Sequence, residues 1–456
     1  MSFLCDLIHA APPFYKVSVD IRVLLTYTRI EKNLQGRVRS PTGGTVREPI
    51  GMNRCDSGTD SKVWMEEEII SLFHLLWDPV PEFFIMNDMN EKYMRLAIEL
   101  ALRGTGYTGP NPRVGAVIVK DGRIIGEGYH ERYGELHAER NALAHCTEDP
   151  AGSTIYVTLE PCCHYGKQPP CTDALIEAGI SEVYVGSPDP NPLVAGKGIS
   201  ILENAGIKVT TDFLREDCDA INKIFFHYIT TSIPYVTVKY AMTLDGKIAS
   251  ATGKSKWISC EESRRYVHKM RAEHMAIMAG IGTVLADDPL LNVRDADGLD
   301  PVRVICDTDL RTPLDSKVVM TAGEGGNYRD WLPRTVIATC VTDPKRLKPY
   351  LDRGVYILNV SPDENGTANM PDILKKLGSM KIDSVLVEGG ASINWSVLDS
   401  GMASHIVSFI SPMIMGGKEA KSPVAGAGCD SPDTAFRLRN LTTRTIGSDL
   451  IVEGDL

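Results

Sequence analysis

From residue 114 to the C-terminus, short apolar runs alternate with helix-forming stretches, and this alternation limits the fold more than any other feature. Residues 114–119 (Val-Gly-Ala-Val-Ile-Val) meet a turn at Asp121-Gly122 and return over 123–129, which reads as a hairpin. A helix over 138–144, a strand over 154–159, a helix from Cys171, a strand over 182–185, a helix over 198–205 and a strand over 207–210 follow. A polar helix is expected over 217–229, and Pro234 marks a boundary. The pattern restarts with an alternating strand at 235–242 and a turn at Asp245-Gly246. Further strands are predicted at 275–279, 302–306, 335–339, 355–358, 384–387, 405–410 and 450–452, with helices such as 261–274 and 371–377 between them. Each apolar face must be buried against another element, so strands alternating with helices require a sheet covered by helices. The sequence predicts two α/β domains, over 86–231 and 232–456, the second not repeating the first.

Residues 1–85 stand apart. Apolar pieces at 17–25 and 69–77 mix with a Gly-, Pro- and Arg-rich stretch at 36–51, and no sustained period emerges. An amphipathic helix at 91–102, ended by Gly104, follows Met86 and Met89. The working protein is therefore expected to begin at one of these methionines, the preceding segment being an upstream read-through or a poorly ordered extension. The formal net charge of −11 disfavours nucleic acid as a partner, because non-specific binding needs Lys and Arg to neutralise phosphates. No apolar run is long enough for a membrane helix, and the N-terminus lacks the pattern of a signal peptide. Eleven thinly spread cysteines, an odd number, argue against a disulfide framework and for a reducing, cytoplasmic setting. A small, free substrate is expected.

The chemistry concentrates in two segments. One is His137-Ala138-Glu139; the other is Pro161-Cys162-Cys163-His164-Tyr165-Gly166-Lys167-Gln168-Pro169-Pro170-Cys171, entered from the strand at 154–159. His137, Cys162 and Cys171 read as three zinc ligands. Catalytic zinc takes three protein ligands and keeps a fourth position open, whereas structural zinc closes with four. A His-x-Glu element followed by Pro-Cys and a second Cys is the pattern of zinc nucleobase deaminases, with the Glu moving protons rather than binding metal. The usual two-residue gap between cysteines is here eight residues, a loop containing Gly166 and Pro169-Pro170. Cys163 competes with Cys162 as ligand, and the Pro-Cys dipeptide favours Cys162. The bland alternative is a set of buried free thiols.

In the second half, a strand at 384–387 runs into Glu388-Gly389-Gly390 and then a helix. Helix N-termini opened by glycine suit phosphate, although Gly-Gly also serves as a packing turn. The spacing is not that of a Rossmann fingerprint. The stretch 280–294, dense in Gly, Thr, Asp and Arg, reads equally as a loop with a helix cap at Thr283.

Taken in order, Asn111-Pro-Arg-Val-Gly-Ala116, His137-Ala-Glu139, Tyr156 through Lys167 with Pro169-Pro-Cys171, Asp189-Pro-Asn-Pro192, Thr243-Leu-Asp-Gly-Lys247, Ser255-Lys-Trp-Ile258, Ala286-Asp-Asp-Pro289 and Val387-Glu-Gly-Gly390 identify a resemblance. Residues 89–456 resemble the bifunctional deaminase–reductase family of bacterial riboflavin biosynthesis. The resemblance implies a cytidine-deaminase-like three-layer α/β domain followed by a dihydrofolate-reductase-like domain, with zinc in the first and NADPH in the second. It implies that His137, Cys162 and Cys171 bind zinc and that Glu139 shuttles the proton. Relatives commonly carry Ser at the position of Cys163, which points away from that thiol as a ligand. Asn111, His130, His164 and Lys167 match positions that hold the phosphorylated pyrimidine, although Asn111 could simply cap a turn and His164 and Lys167 could be solvated. In the reductase half, Ala241, Trp257, Thr283, Asp287 and the run Gly390, Ala391, Ser392, Ile393, Asn394, Trp395 and Ser396 match the cofactor site. Ser255, Arg271, Leu291, Arg294 and Glu388 match substrate positions, and guanidinium groups suit a ribose phosphate. Lys239 lies where the family places a catalytic lysine near the ribose carbonyl; a solvated strand residue is the alternative. The implied chemistry is deamination of a diaminopyrimidinone ribosyl phosphate, then reduction of its ribose to a ribityl chain. A homo-oligomer is expected. Competing readings are a nucleoside or tRNA deaminase fused to an unrelated domain, and a zinc-stabilised binding module in which Cys163 closes the metal site.

Overall fold

The structure, a computed structural model, describes residues 82–456, so the expectation for 1–85 lies outside the described residues apart from its last four. Two sheets organise the chain. The first contains β1 (Gly115–Lys120), β2 (Arg123–Tyr129), β3 (Thr154–Leu159), β4 (Glu182–Ser187) and β5 (Lys208–Thr210), in the order β2-β1-β3-β4-β5. The β1–β2 hairpin forms as predicted, with Asp121 and Gly122 both at positive φ (49° and 73°), the backbone that a two-residue turn requires. β1 also pairs antiparallel with β3, while β3, β4 and β5 run parallel.

Helices cover both faces of this sheet. α1 (Glu82–Arg103) lays Tyr93, Met94, Ala97 and Leu100 on Val117, Val119 and Tyr156. It comes so close that a Cβ on Gly115 would lie 1.9 Å from the Ala97 carbonyl oxygen. On the opposite face α2 (Ala138–Ala144) packs Ala138 and Ala142 against Ala116, Ile118 and Ile125. α3 (Cys171–Glu177) and α4 (Lys197–Asn204) complete that layer with Leu175 and Leu202. Three layers result, as expected.

One predicted helix is corrected. The stretch 217–229 is not continuous: α5 (Arg215–Ala220) ends and α6 (Lys223–Thr231) begins around Asn222. Asn222 is 1% exposed, and its side chain accepts from the Arg113 N–H and donates to the Arg113 carbonyl, both at 2.9 Å. A side chain that serves as a backbone partner elsewhere competes with continuing the helix.

The second sheet has nine strands in the order β10-β9-β8-β7-β11-β6-β12-β14-β13. Its parallel part comprises β10 (Tyr356–Asn359), β9 (Thr335–Thr339), β8 (Val302–Cys306), β7 (Ala276–Gly280), β11 (Ser384–Val387), β6 (Tyr235–Thr243) and β12 (His405–Ser411). β7, β8, β9 and β11 are buried throughout, the mark of parallel strands covered on both faces. β14 (Asp449–Asp455) and β13 (Arg439–Ile446) close one edge as an antiparallel pair. β13 is absent from the predicted strands because it is solvent-exposed almost throughout and shows no apolar alternation.

Both sheets belong to one compact unit. Arg329 donates to the Gly106 carbonyl at 3.0 Å, the Tyr228 hydroxyl donates to the Gly378 carbonyl at 3.0 Å, and Tyr133 packs on Trp331 with ring centroids 5.2 Å apart.

Candidate active sites

The first site forms where β3 ends. Glu160 and Pro161 turn the chain so that the Cys162 carbonyl accepts the N–H groups of Cys171 (3.0 Å) and Thr172 (3.2 Å) at the start of α3. His137 occupies the position just before α2, in extended backbone. Two helix starts and one strand end thus converge. His137 Nδ1 lies 3.4 Å from Cys162 Sγ and 3.5 Å from Cys171 Sγ, and the three potential ligand atoms all lie within 4.8 Å of one another. One imidazole nitrogen and two sulfurs that converge in this way fit zinc and leave a coordination position for a non-protein ligand. Cys163 is not in the group: its Sγ lies 3.7 Å from the Leu193 carbonyl.

Glu139, on the first turn of α2, is 3% exposed. Burial, and next the Cys162 sulfur, pushes its carboxyl up to about 7, a value suited to exchanging protons near neutrality. A cleft of about 360 Å³ opens from this centre. Asn111, His130, His164 and Lys167, all predicted, line it. The His130 ring is fixed between the Leu136 carbonyl at Nδ1 (2.9 Å) and the Asn111 amide nitrogen at Nε2 (3.2 Å), so Nδ1 carries the proton. Burial lowers its pKa to about 4, which keeps it neutral. Its ring stands edge-on to His137, centroids 5.4 Å apart. Lys167 Nζ sits 3.9 Å over the Tyr133 ring.

Three contributors were absent from the predicted site. Glu160 is buried, and its carboxylate accepts the backbone N–H groups of Asp189, Gly196, Gly198 and Ile199 at 3.0–3.4 Å, tying the 189–199 loop beneath Cys162. That loop presents Asp189 and Asn191 to the cleft, and burial raises Asp189 to about 6. The Asp-Pro-Asn-Pro turn signal was available for these two, but nothing local marked Glu160 as an acceptor.

The second site gathers at the carboxyl ends of β6, β7 and β11, where parallel sheets bind ligands. Arg271 grips Glu388 with two hydrogen bonds, Nε to Oε1 at 2.6 Å and Nη2 to Oε2 at 3.0 Å, and donates to the Asn292 carbonyl at 3.0 Å. Lys239 Nζ lies 3.9 Å from Glu388 Oε2. Burial alone would raise the Glu388 carboxyl, but Arg271 and Lys239 hold it down at about 2. Burial lowers Lys239. The alternative of a solvated strand residue therefore fails for Lys239. Arg294 is exposed, with Nη1 on Asn292 Oδ1 at 3.0 Å. Leu291 is 4% exposed and packs in the core, which leaves only its backbone to face a ligand.

At the predicted cofactor run, Gly390 precedes α12 (Ala391–Asp399), and a Cβ there would come 3.8 Å from Thr283 Oγ1 on α8 (Ile281–Asp287). Gly390 sits at the cap position of α12, and a helix N-terminus at this point fits a phosphate-bearing cofactor. Ala241 and Ser255 are half-buried, Asp287 is exposed, and Trp257 is 67% exposed with the Arg264 guanidinium 4.4 Å over its ring. Further along α12 the side chains serve the protein itself. Ile393 packs on Gly280 and Gly389, Ser396 Oγ donates to the Ser392 carbonyl, and Asn394 donates to the Pro423 carbonyl at 2.8 Å. Gly426 lies against the Trp395 ring.

Comparison with known proteins decides the family. The model of the cytidine and deoxycytidylate deaminase zinc-binding region matches residues 87–187, and that of the RibD C-terminal domain matches 234–452. The riboflavin biosynthesis protein RibD of Actinobacillus pleuropneumoniae is 51% identical, over 82% of this chain and 97% of the relative. The chain belongs to the RibD family. The RibD of Aquifex aeolicus is 42% identical over 81% of this chain and 99% of its own length. The solved structure of the Thermotoga maritima diaminohydroxyphosphoribosylaminopyrimidine deaminase/5-amino-6-(5-phosphoribosylamino)uracil reductase is 38% identical, with a TM-score of 0.71 over 81% of this chain and 99% of that one. As a RibD family member the protein is a bifunctional deaminase and reductase of riboflavin biosynthesis that uses zinc and NADPH. The nucleoside-deaminase fusion and the zinc-stabilised binding module are set aside by the RibD match across both halves.

Proposed function

We propose that residues 86–231 deaminate 2,5-diamino-6-(5-phosphoribosylamino)pyrimidin-4(3H)-one and that residues 232–456 reduce the product to 5-amino-6-(5-phosphoribitylamino)uracil, with residues 1–85 outside the functional protein. The observation that carries the first step is the convergence of His137, Cys162 and Cys171 beside buried Glu139. His137, Cys162 and Cys171 hold zinc, which when bound makes water nucleophilic at neutral pH. Glu139 takes the proton that water loses and delivers it to the departing ammonia. Neutral His130 fixes the Asn111 amide, whose oxygen is then directed to the pyrimidine. His164 and Lys167 hold the ribosyl phosphate.

In the second step NADPH supplies hydride. Gly390 to Ser396, Ala241, Trp257, Thr283 and Asp287 form its site, with the side chains of Asn394 and Trp395 bracing it from behind. Ser255, Arg294 and the Leu291 backbone hold the ribose phosphate side. Arg271 orients Glu388, which faces the substrate, and Lys239 donates a proton to the opened ribose. The enzyme works as a cytoplasmic homo-oligomer. Among the described residues no helix is long and apolar enough to cross a membrane.

Glu139→Gln is expected to keep zinc and the reductase rate while lowering deamination at least about 100-fold, the usual range for losing a general acid–base. Metal analysis, ammonia release and NADPH oxidation measured on one preparation check it. Ammonia release at the wild-type rate would remove Glu139 from its role.

A further inference from the structure

One residue lining the deaminase cleft comes from the other half of the chain. Lys381 follows α11 (Met370–Ser379) in the reductase half, yet it lines the same cleft as Asn111, His164, Lys167 and Tyr228. We propose that Lys381 is a substrate-positioning residue of the deaminase, binding the ribosyl phosphate together with Lys167; this rests on the reading above that Lys167 faces that phosphate.

Its placement is firmly held. α11 ends with the Lys381 N–H on the Gly378 carbonyl (2.8 Å) and the Ile382 N–H on the Leu377 carbonyl (3.2 Å), the pairing of a Schellman cap. The Tyr228 hydroxyl donates to that same Gly378 carbonyl, and a Cβ on Gly378 would lie 2.2 Å from the Ser232 carbonyl oxygen. The end of α11 is thus locked onto α6, the helix whose Phe225, Tyr228 and Ile229 line the cleft.

Lys381 has φ +64°, at the cap position where glycine is the usual occupant because a Cβ there costs about 1 kcal/mol or more. Lys381 is solvent-exposed and lines the cleft, so a lysine kept where glycine costs less is consistent with a function for its side chain. A phosphate monoester carries about −1.5 to −2 at neutral pH, so one lysine leaves it under-neutralised and two match it. Lys167, over Tyr133, is itself braced from the reductase half, because Tyr133 packs on Trp331.

The test uses full-length, zinc-loaded protein and two substrates, the ribosyl phosphate and its dephosphorylated riboside. Lys381→Gly removes the charge while relieving the backbone, so loss of folding does not confuse the result. It should raise the deamination KM for the phosphorylated substrate about tenfold, with kcat, riboside kinetics and reductase kinetics near wild type. Lys381→Arg should restore KM. If Lys167→Ala raises KM and Lys381→Gly does not, the inference about Lys381 is wrong and the phosphate reading stands. If neither moves it, both fall. A drop in kcat shared by the two substrates would also overturn the inference, since it marks a structural effect.

Discussion

Glu388 shows how one residue's surroundings set its chemistry. The sequence placed it at a strand end before two glycines, which is legible as a ligand position but silent about charge. In the fold it is clamped by Arg271 and approached by Lys239, and its carboxyl stays ionised down to about pH 2. A folded-state pKa below the unfolded value of about 4.3 contributes stability that is fully present above that pH and lost as pH falls towards 2. Glu388→Gln leaves the buried Arg271 without its partner, so it should abolish reduction and cost about 3 kcal/mol at neutral pH. The stability gap between wild type and variant should then close between about pH 4 and 2, read by denaturant unfolding across that range. A constant gap would show that the carboxylate's charge is not what matters. At the zinc centre, by contrast, residue identity was nearly sufficient. The residue types of His137, Glu139, Cys162 and Cys171 suit the proposed roles, and the coordinates add that Cys163 lies outside the cluster of His137, Cys162 and Cys171.

Among the elements, the strands and helices that bury one clean face were legible, because periodic apolar residues report burial directly. Two expectations failed, each for its own reason. β13 sits at a solvent-exposed edge where no face needs to be apolar. The break at Asn222 arises because its amide is more useful as the partner of Arg113 than as a helix residue. That break has consequences for the active site, since Arg113 lies two residues beyond Asn111. Asn222→Ala would strand a backbone N–H and a carbonyl of Arg113, at about 1–3 kcal/mol for each left unsatisfied. We expect a clear loss of stability by denaturant unfolding and a raised deamination KM, with the reductase KM unchanged at permissive temperature. Unchanged deamination would mean that the Asn111 loop does not depend on this clamp.

At the scale of the whole molecule, the seam between the two halves is polar and buried. Arg113 lies near Glu273 and Asp383 there, and Arg329 near Asp383; burial lowers both arginines and raises both carboxyls, and the opposite charges counter each shift. Arg329, 6% exposed, donates across the seam to Gly106. Arg329→Ala is expected to lower stability by about 1–3 kcal/mol, because the Gly106 carbonyl loses its donor and buried Asp383 loses a countercharge. Thermal unfolding should reveal it, and deamination should suffer more than reduction if the reductase half shapes the deaminase cleft. Equal loss of both activities would argue for a merely global effect.

The sequence by itself pointed to the proposed chemistry, through an ordered set of metal-ligating residue types and a nearby carboxylate, and carried enough alternating apolar runs to require two helix-covered sheets. These are local properties, written in residue type and spacing. Only the tertiary structure decided that Glu160 braces the metal loop, that Arg271 is committed to Glu388, and that a reductase-half lysine lines the deaminase cleft. Each of these joins residues distant along the chain, and no local pattern encodes which buried charge, backbone amide or cleft wall will meet another once the sheets have packed.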